Sequence, residues 1–305
     1  MQIVVLGAAA GGAFPQWNSN ASGCRRARDL DPFARPRTQA SLAISADGRH
    51  WVLLNASPDL RQQIEQTPAL QPSTGLRSTP IAAIVLTGGD VDVIAGLLTL
   101  RERQPLSVLA TARVHAILDA NPIFEVLNRA IVARPIVALD QPTPIPLPGG
   151  GTSGLTVTLF AVPGKVPLYL EQDDTPVLDE TDQTVGAAVT DGASTLYFIP
   201  GCARMTPALA ARLQGAAAVF FDGTLWTDTE MIDAGLGPKT GQRMGHMSVS
   251  GPDGVIAAFE GLNVQRRVFL HINNSNPILL DDSPERAAVT RAGWEVAYDG
   301  LELTV

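Results

Sequence analysis

Two aspartates at the end of a buried strand are the first residues in this chain that could bind a metal. Residues 84–102 predict an apolar strand, then a polar turn and a helix, and Asp90 and Asp92 lie in the turn. Carboxylate oxygens are ligands that hard divalent cations prefer. A lone Asp after a strand is also a common turn former or helix cap, so this segment alone leaves the alternative open.

Three more residues could complete such a site. Asp222 follows the apolar run 217–221, and His271 follows the run 268–270, so both stand at strand ends. His246, one of four histidines, lies in a turn-rich segment and is either a fifth ligand or an acid or base. Two carboxylates and an imidazole at one edge favour Fe(II) or Mn(II) over zinc. The alternative for each histidine is an ordinary hydrogen-bonded polar side chain that binds no metal.

The elements that would position these residues fall into two similar halves. Each half predicts a β-hairpin, a helix, a buried strand and an acidic turn. The first half has strands at 3–6, 40–45, 51–55, 81–86 and 106–110, and helices at 58–66 and within 111–132. The second has strands at 155–163, 185–190, 195–199, 217–221, 268–271, 294–298 and 301–305, and helices at 206–214 and 283–291.

This order predicts an α/β fold, a four-layer αβ/βα sandwich that forms one continuous domain over residues 1–305. The Pro/Gly-rich stretches 142–154 and 163–167 are interpreted as loops that join the halves. A dinucleotide-binding fold is the weaker alternative, because Gly7, Gly11 and Gly12 lack the G-x-G-x-x-G spacing and the strands form hairpins.

The composition narrows the class of partner. The net charge is −8 and the only basic cluster is Arg25, Arg26 and Arg28, which argues against nucleic acid and leaves small molecules or proteins. No apolar run approaches the length of about 18 residues that spans a membrane. The first residues enter a strand without a basic leader, so we expect a cytoplasmic protein, and its two cysteines fit a reducing compartment.

The acidic turn resembles the metal-binding segment of the metallo-β-lactamase superfamily, H-x-H-x-D-H. Aligned with it, Gly88, Asp90, Asp92 and Val93 occupy the four ligand positions. Only Asp92 matches, and Asp90 substitutes an oxygen donor for an imidazole.

A closer resemblance covers the chain from end to end. Nine stretches of the chain are similar to the coenzyme PQQ synthesis protein B family. With the number of the first residue of each, they are GAAAGGAFPQWN (7), RPRTQ (35), LNASPDLRQQI (54), GLLTLRE (96), VPGKVPLYL (162), IPGCAR (199), DGT (222), MGH (244) and FLHINNSNPIL (269). The resemblance implies a cytosolic metallo-β-lactamase fold and a role in the synthesis of pyrroloquinoline quinone (PQQ).

Two functions follow from this resemblance. The first is an iron-dependent addition of oxygen to the tyrosine ring of a precursor derived from a Glu and a Tyr of a small peptide. The second is a carrier that binds PQQ or its precursor for transport to the periplasm, without catalysis. Other proteins of the PQQ pathway are further candidate partners.

The chain departs from the family at two places. Relatives usually carry C-x-C-x-x-C after Trp-Asn, and here Ser19, Ala21 and Cys24 replace it, so we expect no structural zinc. Val93 stands where relatives usually keep a histidine, and its side chain has no donor atom. This loss raises the weight of the carrier function.

The remaining candidates sort by role. The predicted metal ligands are Asp90, Asp92, Asp222 and His271, with Fe(II) ranked above Mn(II) and zinc, and His246 is the candidate catalytic residue. A precursor with several carboxylates needs cationic partners, and the candidates are Lys165, Arg204, Lys239 and Arg243. Ordinary surface charge is the alternative for each. Cys202 is expected to be a small buried residue rather than a nucleophile.

Overall fold

The first β-sheet is built almost entirely from the amino-terminal half of the chain. The computed structural model describes residues 1–171 and 179–305. Seven strands lie in the order β14-β1-β2-β3-β4-β5-β6. They are β1 (Gln2–Gly7), β2 (Ser41–Ser45), β3 (Trp51–Leu54), β4 (Ile81–Val85), β5 (Leu106–Leu109), β6 (Val132–Ala133) and, from the carboxyl end, β14 (Glu302–Thr304). Strands β2 and β3 form the predicted antiparallel hairpin, and β3 to β6 run parallel.

The second sheet repeats this plan with the order β13-β12-β11-β10-β9-β8-β7. Its strands are β7 (Thr143–Pro146), β8 (Thr152–Gly164), β9 (Asp179–Thr190), β10 (Thr195–Ile199), β11 (Ala218–Asp222), β12 (Arg266–Leu270) and β13 (Glu295–Val296). Strands β9 and β10 form a hairpin, and β10 to β13 run parallel.

Helices cover the outer face of each sheet. The α-helices are α1 (Ser22–Arg28), α2 (Leu60–Gln66), α3 (Val91–Ile94), α4 (Ala112–Ala120), α5 (Pro207–Leu213), α6 (Glu230–Asp233), α7 (Gly241–Met244), α8 (Val255–Ala258) and α9 (Pro284–Arg291). Short 3₁₀ turns lie at Pro68–Leu70, Ala95–Leu100, Pro122–Val126, Leu168–Leu170 and Pro277–Leu279. Among the residues described, no helix combines the length and the apolar character that crossing a membrane requires.

Three apolar clusters hold the four layers together. Side chains from both sheets, among them Leu42 and Phe220, interdigitate in the cluster between the sheets. A second cluster packs α5 and α9 onto the outer face of the second sheet, and a third packs α2 and α4 onto the first. The predicted four-layer αβ/βα sandwich of two similar halves is therefore confirmed.

The stretch 142–154 is not only a loop, as the sequence had suggested. It contains β7 and the start of β8, and the predicted joining loop at 163–167 begins with the last two residues of β8. Pro144 and Pro146 concealed β7, because proline cannot donate a hydrogen bond to a neighbouring strand. At the edge of the sheet, where β7 lies, that donor is not needed. The helix predicted after β4 is also shorter, since α3 has four residues and a 3₁₀ turn follows.

Parallel strands place the candidate residues at one edge of the molecule. Asp222 is the last residue of β11, and the carboxyl ends of β4, β10 and β12 lead into the segments that carry Asp90, Cys202 and His271. Two contacts show that the halves meet there: Val185 N–H donates to Thr87 O at 3.0 Å, and Ala9 pairs with Ile272 as an isolated bridge. The fold therefore assembles one site from both halves.

Candidate metal centre

The acidic turn after β4 is held in place by side-chain and backbone hydrogen bonds. The backbone N–H and the hydroxyl of Thr87 both donate to Asn55 Oδ1, at 2.9 and 3.0 Å. Gly96, just after α3, lies against the loop after β3 so closely that a Cβ there would meet Ser57 O at 2.0 Å. Asp90 Oδ1 accepts from the backbone N–H of Leu168 at 3.2 Å. These contacts fix Asp92 at the start of α3, facing the second half.

Asp222, His246 and His271 form the densest group of metal-binding side chains in the described part of the chain. One donor atom from each lies within 4.8 Å of those of the other two. Asp222 is fully buried, and its Oδ2 lies 2.7 Å from His246 Nδ1. The two imidazole rings stack with centroids 5.2 Å apart. Asp90 and Asp92 are outside this group, although Asp92 Oδ2 contacts His271 Nε2 at 2.9 Å.

The hydroxyl of Thr224 contacts all three side chains of the group, and the sequence did not identify this residue. Its hydroxyl oxygen lies 2.6 Å from Asp222 Oδ1, 3.1 Å from His246 Nδ1 and 2.9 Å from His271 Nδ1. The same hydroxyl is 2.9 Å from the carbonyl oxygen of His271. A threonine two residues after an aspartate carries no signal of this role, because the histidines it meets lie 22 and 47 residues further along the chain.

His271 adopts a backbone conformation that is rare for a residue with a side chain. Its φ is 55°, in the left-handed region, directly after the last residue of β12. Such conformations cost of order 1–3 kcal/mol and are retained where the surrounding structure demands them. Here the turn aims the imidazole at Asp92 of the other half.

The charges in the group influence one another. Burial alone would lower the pKa of His271, but the hydrogen bond to Asp92 and the charges of Asp92, Asp222 and Asp90 raise it above its usual value. Burial opposes ionisation of Asp92, yet His271 holds the pKa of Asp92 below its usual value. Burial and the charge of Asp92 raise the pKa of Asp90. A cation at this edge would relieve the repulsion between the two aspartates.

The distances in this group fit a bound metal ion. Two donors that each lie about 2.1 Å from one ion and at right angles to each other are about 3 Å apart. The pairs Asp222 Oδ2–His246 Nδ1 and His271 Nε2–Asp92 Oδ2, at 2.7 and 2.9 Å, are near that separation. Two imidazoles and a carboxylate are a donor set that holds iron or zinc. The residues present therefore suit a divalent transition metal.

Replacing Thr224 by Val should weaken metal binding by about 10–100-fold, because His271 loses the hydroxyl that orients it through Nδ1 while its Nε2 faces Asp92. The change keeps the shape of the side chain, and Thr224→Ser, which keeps the hydroxyl, is the matched control. Chelator competition measures the affinity. Equal affinity in the Val and Ser variants would show that the hydroxyl does not orient the ligands.

A cavity of about 380 Å³ opens over the group and connects it to cationic side chains. Its walls include Asp90, Asp92, Val93, His246 and His271, together with Lys165 and Lys239. The cavity thus brings together Asp92 and His271, which lie 179 residues apart in the chain, and both of the predicted substrate-binding lysines.

Comparison with known proteins decides the family. The model of the beta-lactamase superfamily domain matches residues 50–272. The chain is 64% identical over 305 residues to coenzyme PQQ synthesis protein B of Gluconacetobacter diazotrophicus, covering 100% of this chain and 99% of that protein. It is 53% identical to the protein of that name from Xanthomonas axonopodis pv. citri, with both chains covered completely. The chain belongs to the coenzyme PQQ synthesis protein B family. Its role therefore lies in PQQ synthesis.

Solved structures agree with this family. Zinc-bound PqqB from Methylobacterium extorquens superposes with a TM-score of 0.96 at 50% sequence identity, and each chain is covered completely. A diphosphatase of the PhnP family has a TM-score of 0.69 at 20% identity over 99% of this chain and 96% of that one, which shows the shared fold alone. The zinc-bound relative and the group of Asp222, His246 and His271 together suggest a metal at this centre.

The four predicted substrate-binding cations occupy different surroundings. Lys165 and Arg243 both pair with Glu171, at 2.7 and 2.9 Å. Lys239 lines the cavity and has no carboxylate within ion-pair distance among residues 1–171 and 179–305. Arg204 is exposed and follows the buried segment at Cys202. Their role in binding substrate remains a prediction.

Cys202 is buried, as the sequence predicted. Burial raises the pKa of its thiol to about 12, so the thiolate that a nucleophile needs is scarce near neutral pH. Its contribution to the site comes from the backbone, because Cys202 N–H donates to Asp222 Oδ2 at 2.9 Å.

The three residues that replace the family's C-x-C-x-x-C lie at and before α1. Cys24 is fully buried in α1, and its thiol donates to Asn274 Oδ1 at 3.5 Å. Ser19 Oγ accepts from the backbone N–H of Ala21 at 3.3 Å. With a single thiol among the three positions, the absence of structural zinc here stays a prediction.

Proposed function

We propose that the protein is a metal-dependent oxygenase of PQQ synthesis that hydroxylates the tyrosine ring of a Glu-Tyr-derived precursor. The observation that carries this proposal is the group of Asp222, His246 and His271. Two histidines and one carboxylate with open coordination positions are the donor set of non-haem Fe(II) oxygenases. Fe(II) is therefore the metal we favour, and Mn(II) and zinc rank below it.

Each residue has a role that its contacts support. Asp222, His246 and His271 would hold the ion, and Asp92 would add a fourth donor through its contact with His271. Of the two roles that the sequence left open for His246, a ligand and a separate acid or base, this proposal assigns the ligand. Bound iron would supply the activation of O₂. The Thr224 hydroxyl orients His271 through Nδ1, and Asp90 adds negative charge at the cavity wall.

The cavity supports a small anionic substrate. Its volume of about 380 Å³ lies within the range of pockets that bind small molecules. Lys165 and Lys239 lie on the wall and provide positive charge for the carboxylates of the precursor. The glycines at 88 and 201 on the same wall leave room for a ring beside the ligands.

A carrier without catalysis is the second candidate, and Val93 is the observation that favours it. Its side chain lines the cavity beside Asp92 but provides no donor atom. A carrier would use the same cavity to bind PQQ or its precursor, for transport to the periplasm, and would need no metal.

The test compares metal content and turnover in one set of proteins. Wild type, Asp92→Ala and His271→Ala are purified anaerobically, and iron is counted per chain. Each is then mixed with precursor, a reductant that supplies two electrons, and O₂. We expect stoichiometric iron and hydroxylated product in the wild type, and at least about a 100-fold loss of turnover in His271→Ala, because removing a ligand disassembles the site.

The control is Glu102→Ala, which removes an exposed carboxylate that pairs with the exposed Arg77 and Arg101. It should retain both iron and turnover. Wild-type protein that contains no metal, forms no product and still binds PQQ would overturn the oxygenase and support the carrier.

A further inference from the structure

One carboxylate bridges two cations beside the cavity, and one of these cations, Lys165, lines the cavity wall. Lys165 Nζ lies 2.7 Å from Glu171 Oε1, and Arg243 Nη2 lies 2.9 Å from Glu171 Oε2. The side chains of Lys165, Arg243 and Glu171 are only 15%, 20% and 10% exposed, so this is not an ordinary surface ion pair. The two oxygens of a single carboxylate are each used by a different cation.

The two cations need an anion between them. Partly buried like charges repel one another, and the cost falls when a carboxylate binds both. Burial alone would raise the pKa of Glu171, but hydrogen bonds from Arg243 and Lys165 lower it to about 2. Glu171 therefore stays ionised at neutral pH and neutralises part of the pair's charge.

Both cations are built into elements that lead to the metal centre. Lys165 directly follows β8 and lines the same cavity as His246 and His271. Arg243 belongs to α7, three residues before His246, and the side chain of Lys165 packs against the intervening Gly245. A carboxylate that binds this pair would lie beside the cavity wall at Lys165 and Gly245, next to the metal-binding group.

Glu171 sits at the end of a turn that borders the cavity. The 3₁₀ turn Leu168–Leu170 precedes it, and the backbone N–H of Leu168 donates to Asp90 Oδ1. The hydroxyl of Tyr169 donates to Gly89 O. Glu171 thus reaches the cation pair from a turn that already contacts the acidic loop of the centre.

We propose that Lys165 and Arg243 form a carboxylate subsite for the substrate, and that Glu171 occupies this subsite until a substrate carboxylate takes its place. The proposal rests on the proposed function, in that the ligand is an anionic PQQ precursor or PQQ. The carboxylate of Glu171 thus competes with the substrate carboxylate for the same two cations.

The exchange has a simple electrostatic consequence. A substrate carboxylate that replaces Glu171 restores both ion pairs, whereas a neutral group would leave two partly buried cations unpaired. The subsite therefore selects against uncharged analogues. Substrate can bind only while Glu171 is away from the subsite, so the apparent affinity for substrate is lowered in proportion to the time that the subsite is free. Removing the charge of Glu171 should therefore tighten substrate binding.

The experiment measures PQQ binding by titration calorimetry on metal-containing protein under anaerobic conditions. If Glu171 fills the subsite about nine-tenths of the time, Glu171→Gln should bind PQQ about tenfold more tightly than wild type. Glu171→Asp keeps the charge and should stay close to wild type. Glu65→Gln, the same change at an exposed residue of α2, should have no effect.

A second background separates the subsite from a structural role. In Glu171→Gln protein, Lys165→Met should abolish the tenfold gain, because one of the two cations that receive the carboxylate is lost. Binding in Glu171→Gln that is equal to or weaker than in wild type would overturn the proposal, as would a gain that survives Lys165→Met.

The result is independent of catalysis. Tighter binding in Glu171→Gln alongside a wild type that forms no hydroxylated product would retain the subsite and reject the oxygenase. Normal hydroxylation with unchanged binding in Glu171→Gln would retain the oxygenase and reject the subsite. The two proposals therefore fail separately.

Discussion

Asp222→Asn should abolish stoichiometric metal binding and also destabilise the fold. Asp222 is fully buried, and both of its oxygens accept hydrogen bonds: Oδ1 from the backbone N–H and hydroxyl of Thr224, Oδ2 from the backbone N–H of Cys202. An amide NH₂ in place of either oxygen would face a backbone donor. Leaving a buried donor unpaired costs about 1–3 kcal/mol, and the loss of an anionic ligand adds a separate effect on metal affinity.

Two measurements separate these effects. Differential scanning calorimetry in excess chelator should show a Tm lower by roughly 2–12 °C, given about 2–4 °C per kcal/mol for domains of 150–250 residues. Metal content should fall from near stoichiometric to below a tenth of the wild-type value, which takes about a hundredfold loss in the binding constant, or about 2.8 kcal/mol. Glu102→Gln is the control, since it makes the same carboxylate-to-amide change and its exposed ion pairs with Arg77 and Arg101 should contribute under about 1 kcal/mol. An Asp222→Asn protein with full metal content would remove Asp222 from the ligand set.

The fold could be predicted from sequence because its signals are local. The hairpin turns at Ala46-Asp47-Gly48 and Asp191-Gly192 separate runs of strand-forming residues, and these turns predict the pairing of β2 with β3 and of β9 with β10. Buried parallel strands such as β4 and β11 are short continuous apolar runs. The edge strand β7 was missed because its prolines are compatible with a strand only at that position in the sheet, which local sequence does not reveal.

The candidate site could be predicted only in part. Strand ends identified Asp92, Asp222 and His271, because the carboxyl ends of parallel strands meet at one edge. The partners within that edge depend on tertiary packing: Asp92 meets His271 across 179 residues, and Arg243 meets Glu171 across 72. Thr224 and Glu171 have no distinctive neighbours in the sequence. Their importance comes from the several polar groups that converge on a single hydroxyl and a single carboxylate.

Val93→His should tighten metal binding, and the sign of its effect on stability should depend on the metal. Val93 lines the cavity next to Asp92, so an imidazole at this position would reach the wall that faces His246 and His271. One added ligand worth about 1.4 kcal/mol gives tenfold tighter binding. Val93 also packs against the apolar cluster beneath the first sheet, so a polar ring should lower the stability of metal-free protein by about 0.5–3 kcal/mol.

A metal that binds only the folded state stabilises that state. In chelator, the Tm of Val93→His should therefore lie below the Tm of wild type. When Fe(II) or Zn(II) is added, the Tm of Val93→His should rise by more than the Tm of wild type. Val93→Phe is the matched control, with a ring and no donor atom. Equal metal affinity in the His and Phe variants would show that the ring does not reach the ion. If wild type forms no hydroxylated product and Val93→His does, this chain carries a site that lost its activity at one position. If the wild type already forms hydroxylated product, the metal site needs no histidine at position 93. The ligands Asp92, Asp222, His246 and His271 are then enough for hydroxylation.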